Sequence, residues 1–270
     1  MSEPAPVPAP FDPDRFESTI PYYIAHRPRF PLRLLEQVLT QLGLEPRARV
    51  LDLGCGPGFL ANDFAGLGCH CVAVDPSAGM LAAARAEADM RGVWVEYRFG
   101  SSYDLDAMDG AYDLAVMGRS FHWMDRVQTL RSLDRLVRPA GAVALLYDHH
   151  IRSAENAAIT VADRVREKYG RMTTAAVARK PGPLVPDESV FLDSEFAQLV
   201  RLGLVERRTV SADDLVGRSL STSFTSPDAL GDRRAAFESE LRAGLIALRP
   251  DGMFTELIEF TALLARRPTP

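Results

Sequence analysis

A chain of 270 residues with 47% hydrophobic side chains and a net charge of −5 has material for one large globular domain and a sizeable core. The acidic balance and the lack of any Lys/Arg-rich run speak against nucleic acid as a partner. No apolar run is long enough to span a bilayer, so no membrane partner is expected either.

Met1 to Pro10 is a proline–alanine tract without a basic head or an apolar core. Residues 1–13 are therefore expected to form a disordered tail and not a signal peptide. Three cysteines cannot all pair, and their usage suits a reducing, cytoplasmic location. Pro31 opens a helix with Leu32, Leu35, Leu39 and Leu42 on one face, stopped by Gly43. The run Val50-Leu51-Asp52-Leu53 is a buried strand, and Gly54, Gly56 and Gly58 follow at alternate positions. Leu60, Phe64 and Leu67 then recur at helical spacing. This is strand, tight turn and helix N-terminus, the arrangement in which backbone N–H groups approach a ligand closely.

The second strand, Cys71 to Val74, closes on Asp75, 21 residues after Gly54, where a ribose-binding acid is expected. Cys69 and Cys71 flank His70 and are expected on opposite strand faces; with no second ligand pair at zinc spacing, no metal is predicted. Asp75-Pro76-Ser77 enters a helix that runs to about Met90 and stops at Gly92. Further strands are read at Trp94 to Phe99, Tyr112 to Met117 and Ala142 to Tyr147. Between the last two, Asp125 caps a helix with Val127, Leu130, Leu133 and Val137 inward. Residues 151–200 are helical in character, with a proline-rich break from Pro181 to Pro186. A sixth strand spans Val205 to Val210, and Ser211 to Asp214 forms a capping box. Ser226-Pro227 starts a helix burying Leu230, Phe237, Leu241 and Leu245, and Phe254 to Leu264 is the last strand.

The expected fold is thus α/β: a Rossmann-like, doubly wound, mostly parallel seven-stranded sheet, with a helical cap inserted between strands five and six. Residues 14–150 are expected to form an N-terminal segment and the cofactor-binding core, 151–200 the cap and substrate region, and 201–270 the completion of the sheet.

The glycine spacing narrows the cofactor. A dinucleotide loop needs a third glycine where Phe59 stands, and no Lys-Ser or Lys-Thr pair is present to hold a triphosphate. VLDLGCGPGFL followed by VAVDPSAGML resembles the class I S-adenosylmethionine-dependent methyltransferases. The Tyr-x-x-x-Arg-Pro-x-aromatic-Pro pattern from Tyr23 to Pro31 is similar to a lid segment of small-molecule methyltransferases. Phe121-His122-Trp123 after the fourth strand resembles the trans-aconitate-methyltransferase-like, methyltransferase type 11 branch.

The resemblance implies S-adenosyl-L-methionine as cofactor, with Asp75 on the ribose hydroxyls and Asp52 beneath the turn near the amino and sulfonium end. Gly54, Gly56 and Gly58 form the cradle, Met80 packs on the adenine, and Ser101 or Ser102 meets its amino group. Tyr23, Arg27 and Arg119 complete the cofactor set, Arg27 pairing with the methionine carboxylate or with an acidic substrate. His122 is the candidate base, because imidazole titrates near neutral pH, and Trp123, His149 and His150 are substrate candidates. The expected activity is in-line methyl transfer to a small molecule, with oxygen, carbon and nitrogen all open as the acceptor atom. The alternatives are a non-catalytic cofactor- or partner-binding protein on the same fold, a methyltransferase acting on a macromolecule, and a dehydrogenase.

Overall fold

The computed structural model describes residues 13–170 and 185–268. Almost all of the expected tail and most of the proline-rich break lie outside these residues. Seven strands form one sheet in the order β3-β2-β1-β4-β5-β7-β6. They are β1 (Arg49–Leu53), β2 (His70–Asp75), β3 (Val95–Phe99), β4 (Tyr112–Gly118), β5 (Val137–His150), β6 (Gln198–Ser211) and β7 (Met253–Arg266). The first five pair in parallel, and β7 lies antiparallel between β5 and β6. The strand order reverses beside β1, so the carboxyl ends of β1 and β4 border the crevice where such sheets take ligands.

Period-two alternation builds the core. Val50, Cys71, Ala73, Leu114, Val116, Ala144 and Leu146 face one side, against α2 (Leu32–Leu42) and α3 (Phe59–Gly66). Leu51, Leu53, Val72, Val74, Ala115, Met117, Val143 and Leu145 face the other, against α5 (Arg126–Leu136) and Phe191. Helix α4 (Ala78–Arg91) packs beside β2 and β3 and sends Leu81 into the first cluster. A third cluster joins α6 (Ala157–Tyr169), α8 (Ala212–Leu220) and α10 (Arg234–Leu248) around Phe237, Leu241 and Leu245. The short helices α1 (Ile20–His26), α7 (Asp187–Leu192) and α9 (Pro227–Leu230) lie at its margins and at the sheet. The cap thus draws helices from both the β5–β6 and the β6–β7 connections.

Three details of the sequence reading are corrected. Val127 is exposed, because Asp125 at the N-cap places it in the outward first turn. Cys69 and Cys71 lie in the same apolar cluster, as residues two apart on a strand must, while His70 is exposed. Strand β6 begins seven residues before Val205; its Arg201 and Gly203 interrupt the apolar signal on a strand with a solvated face.

The turn after β1 depends on glycine at Gly58, whose φ is +75°. A Cβ there would stand 2.8 Å from both Ala84 Cβ and the Tyr97 hydroxyl, where α3 closes on α4 and β3. Gly58→Ala is expected to destabilise the fold by ~2–4 kcal/mol, from left-handed strain plus overpacking. A clearly lower denaturant midpoint is the expected reading; an unchanged midpoint would contradict this account of the turn.

Candidate functional site

The site starts where β1 and β2 end. Gly54 N–H and Cys55 N–H both donate to Val74 O, at 2.8 and 3.0 Å, pinning the turn to the tip of β2. The Asp75 carboxylate continues the clasp: Gly56 N–H donates to Oδ2 at 2.8 Å and Ser77 N–H to Oδ1 at 2.9 Å. Each oxygen has one backbone donor and keeps acceptor capacity toward the cleft that Asp75 lines. Burial raises its pKa, opposed by those two N–H bonds. Ser77 also caps α4, its Oγ accepting from Met80 N–H at 3.1 Å.

Asp52 lies beneath the turn and outside the cleft lining. Its Oδ2 accepts from Ala61 N–H at 3.0 Å, at the start of α3, where a negative charge offsets the helix dipole. Its Oδ1 is buried with no hydrogen-bond partner. Burial drives this carboxyl up to about 7, against the pull of the Ala61 bond.

The cleft encloses about 820 Å³, counting the space at its open mouth. Its floor is Gly54, Cys55, Gly56, Asp75 and Pro76; Met80, Ser101, Ser102 and Tyr103 form one side, and Gly118, Arg119, Ser120, Trp123 and Met124 the other. Phe16 and Tyr23 close it from the N-terminal segment. That segment is fastened at Glu17, which accepts from Ser77 Oγ at 2.9 Å, and at Phe16, whose ring meets Trp123 edge-on at 5.6 Å. Gly54 admits the close approach of β4's end: a Cβ there would come within 2.6 Å of Ser120 Cβ. In the β3 loop, Ser101 donates both N–H and hydroxyl to Asp104 Oδ2, at 2.7 and 2.8 Å, so Ser102 holds the uncommitted hydroxyl on this side.

Of the expected site residues, Tyr23, Gly54, Gly56, Asp75, Met80, Ser101, Ser102, Arg119 and Trp123 all border this one cleft. Gly58 stands one step back as the N-cap of α3. His122 sits in a single 3-10 turn, Phe121–Trp123, half-buried, with its ring 4.8 Å from that of Trp123. His149 is on the outer part of β5 and meets Glu259 at 2.8 Å. His150 Nε2 lies 3.1 Å from Glu256 Oε2, away from the cleft lining. Among the described residues no cluster of His, Cys, Asp or Glu suits a metal ion.

Arg119 joins the cleft to what lies behind it. Its backbone is left-handed, with φ +60°, an uncommon and strained conformation for arginine. The side chain is held by Asp148 at Nε, by Pro28 O at 2.7 Å and by the Phe30 ring, whose centroid is 4.3 Å from the guanidinium. Burial would lower its pKa, but Asp148 and Tyr23 outweigh burial and raise it. Arg27 lies outside the cleft lining, its Nε buried without a hydrogen-bond partner and its guanidinium 5.5 Å from the centroid of the Tyr23 ring. Sequence reading missed Phe16, Ser120 and Met124, and it considered Asp148 only as a metal ligand beside His149 and His150, where the structure has it hold Arg119. Ser120 carried a faint signal, standing just past the end of a buried parallel strand; the others look like ordinary apolar or surface positions.

The methyltransferase domain family matches residues 51–145, which span β1 to the middle of β5. A ubiquinone biosynthesis O-methyltransferase of Xanthomonas euvesicatoria is 38% identical over 117 residues, 43% of this chain and 48% of that protein. A malonyl-acyl-carrier-protein O-methyltransferase of Pseudescherichia vulneris is 36% identical over 108 residues, 40% of this chain and 41% of that protein. The chain thus spans about half, or less, of the length of these curated relatives. A solved S-adenosylmethionine-dependent methyltransferase from Thiobacillus denitrificans, in complex with S-adenosyl-L-homocysteine, superposes with a TM-score of 0.53 at 17% identity, covering 95% of this chain and 99% of that one. At that identity the likeness is one of fold.

Asp52 gives the site a pH signature. Its folded pKa of about 7 lies above the unfolded value, so the folded state holds an extra proton from about pH 4 to 7. The stabilisation is complete below about pH 4 and is lost as pH rises through 7. Asp52→Asn keeps an acceptor for Ala61 N–H and removes the titration. The variant is expected to show little decline across that window and to exceed the parent at pH 7.5 by on the order of 1–4 kcal/mol. Denaturant titrations at several pH values check it, and parallel curves would contradict the assignment.

Proposed function

Starting from a chain that carries a methyltransferase domain of the class I, S-adenosylmethionine-dependent type, we propose that the protein transfers a methyl group from S-adenosylmethionine to a small organic acceptor. The observation that supports this most is the Asp75 carboxylate, fixed at the cleft by Gly56 and Ser77 N–H groups with acceptor capacity left over. Those residues suit a ribose diol, and charged hydrogen bonds of this type are worth about 1.5–3 kcal/mol each. Met80 offers a polarizable thioether to the face of a base, and Ser102 a hydroxyl to its edge. The Asp52 carboxyl lies under the turn with one oxygen unpartnered, and burial raises its pKa to about 7, so a cationic amino-acid tail beside it would favour its charged form.

S-adenosylmethionine supplies an electrophilic methyl group on a good leaving group. The protein's own task is therefore to hold the acceptor atom in line, at roughly 3–3.5 Å, and to exclude water. Phe16, Tyr23 and Trp123 shield the cleft from the side opposite the sheet. When the acceptor atom carries a proton, we assign its removal to His122, which is not among the lining residues itself but directly precedes Trp123, which is. The curated relatives named above are O-methyltransferases, which supports oxygen as the acceptor atom here.

Isothermal titration with S-adenosylmethionine and S-adenosylhomocysteine, followed by transfer of a labelled methyl group to a small-molecule panel, tests the reading. Binding of neither nucleoside would overturn it. Asp75→Asn retains one acceptor oxygen for the turn and is expected to weaken S-adenosylhomocysteine binding at least tenfold with an unchanged circular dichroism spectrum. His122→Ala is expected to lower turnover at neutral pH and remove an inflection from the pH–rate profile, while leaving cofactor affinity unaltered; an unchanged profile would remove His122 from the mechanism.

A further inference from the structure

A second cavity opens at the opposite edge of the sheet, where β1, β2, β3 and β4 begin. It encloses about 800 Å³, counting the space at its mouth, and shares no lining residue with the cleft. The five residues of β1 separate the two, by about 13 Å at the rise of an extended strand.

Strand register sets one wall of this cavity. Arg49 stands opposite His70, and Cys71 opposite Val95, so Trp94, one step before β3, falls beside His70. Arg49, His70 and Trp94 thus form a row across three strands, and all three line the cavity. Neighbouring strands lie about 4.8 Å apart, which puts the backbones at the two ends of the row roughly 10 Å apart. Trp94 is 70% exposed, although tryptophan is on average well buried.

The charges beside the row are unevenly paired. Asp113 accepts the Arg49 backbone N–H through Oδ2 at 2.7 Å and bonds the Arg138 guanidinium through Oδ1. Glu96 pairs with Arg98 at 2.7 Å. Both carboxylates of the lining are therefore committed. Among the described residues the Arg47 and Arg49 side chains make no ion pair and no hydrogen bond; the Arg49 guanidinium lies over the Tyr112 ring, 5.2 Å from its centroid.

Arg47 reaches the cavity from a strained turn. Ala48 N–H donates to Glu45 O at 3.1 Å, so residues 45–48 form a β-turn with Arg47 third, at φ +73°. Glycine or asparagine is usual at a left-handed third position. Among the described residues the other non-glycine residue with positive φ is Arg119, in the cleft. Strain of this kind gathers at ligand sites. Arg47 N–H donates to Gly68 O at 2.8 Å, which fixes the turn beside the entrance to β2.

Two guanidinium groups without counter-ions at one end of the wall, and an exposed indole at the other, describe a ligand with an anionic and an aromatic end. We propose that this cavity binds a nucleoside monophosphate, its phosphate held by Arg47 and Arg49 and its base stacked on Trp94. The row between them is then spanned by the ribose, at the level of His70. Two guanidinium groups balance one phosphate monoester dianion, and a tryptophan face accepts any base. The negative Glu96 and Asp113 in the same lining disfavour the additional phosphates of a triphosphate or a polynucleotide. This site stands apart from the transfer reaction and does not depend on it.

Titration of adenosine monophosphate into the whole chain, followed by heat and by tryptophan fluorescence, tests the proposal. The nucleotide is expected to bind, and adenosine or inorganic phosphate alone to bind about tenfold more weakly. Arg47→Gly is expected to lower nucleotide affinity by about tenfold or more. Glycine suits a left-handed backbone, so this variant is expected to melt within about 2 °C of the parent. Trp94→Leu is expected to weaken the nucleotide by about tenfold and to leave inorganic phosphate unaffected. Saturating S-adenosylhomocysteine is expected to leave nucleotide affinity unchanged. Competition between the two would place the nucleotide in the cleft and overturn the proposal, as would equal affinity in the parent, Arg47→Gly and Trp94→Leu. An oligonucleotide that bound more tightly than the mononucleotide would make this a nucleic-acid surface and overturn it as well.

Discussion

The structure turns on one buried carboxylate. Asp75 receives the Gly56 N–H from the turn after β1 and the Ser77 N–H from the start of α4, and so ties two strand tips and a helix N-terminus into one rigid rim. Without it, the left-handed Gly56 would lose the bond of its own N–H, while Gly54 and Gly58 keep theirs to the Val74 and Cys55 carbonyls. The same rim fastens the N-terminal segment, because Ser77 Oγ donates to Glu17. In the function proposed above, the acid that would receive a diol is also the group that shapes the floor on which the rest of a nucleoside would lie. Its two roles compete little, since each oxygen has lone pairs beyond the one its backbone donor uses.

A second constraint acts from the opposite side. Arg119 adopts a left-handed backbone that costs on the order of 1–3 kcal/mol, and persists because its surroundings over-determine it. Asp148 fixes the guanidinium from β5, the Pro28 carbonyl from the N-terminal segment, and the Phe30 ring from the entrance to α2. One strained residue therefore couples three parts of the chain that sequence distance keeps apart. This coupling holds the N-terminal segment, with Tyr23, against the cleft.

Local chemistry was the legible part of this protein. Glycines at 43 and 92 end helices in left-handed caps, and Ser77, Asp125 and Ser211 start them with side-chain caps, each set by residues within four positions. The turn, Asp75 and the parallel strands followed from apolar runs bounded by such signals. What was not legible depends on partners far along the chain. Arg201 and Gly203 hid the first half of β6, because an outer strand with a solvated face lacks a continuous apolar run. The helical spacing of Leu241 and Leu245 foretold a buried face, but not that α6 and α8 would cover it. In the site, nothing near Asp148 or Glu256 in the sequence gives their partners; the pairing of β5 with β7 brings Asp148 to Arg119 half-buried, and α8 covers Glu256, which is buried.

A buried ion pair decides how the cap is attached. Arg218 and Glu256 link α8 to β7, and a pair so well buried contributes little net stability compared with apolar residues of equal volume, because its desolvation offsets its attraction. Its effect is directional: two parallel bonds from one guanidinium fix the position of α8 on the sheet more narrowly than greasy contacts would. Helix α1 in turn rests on α8 through His26 and Gly217.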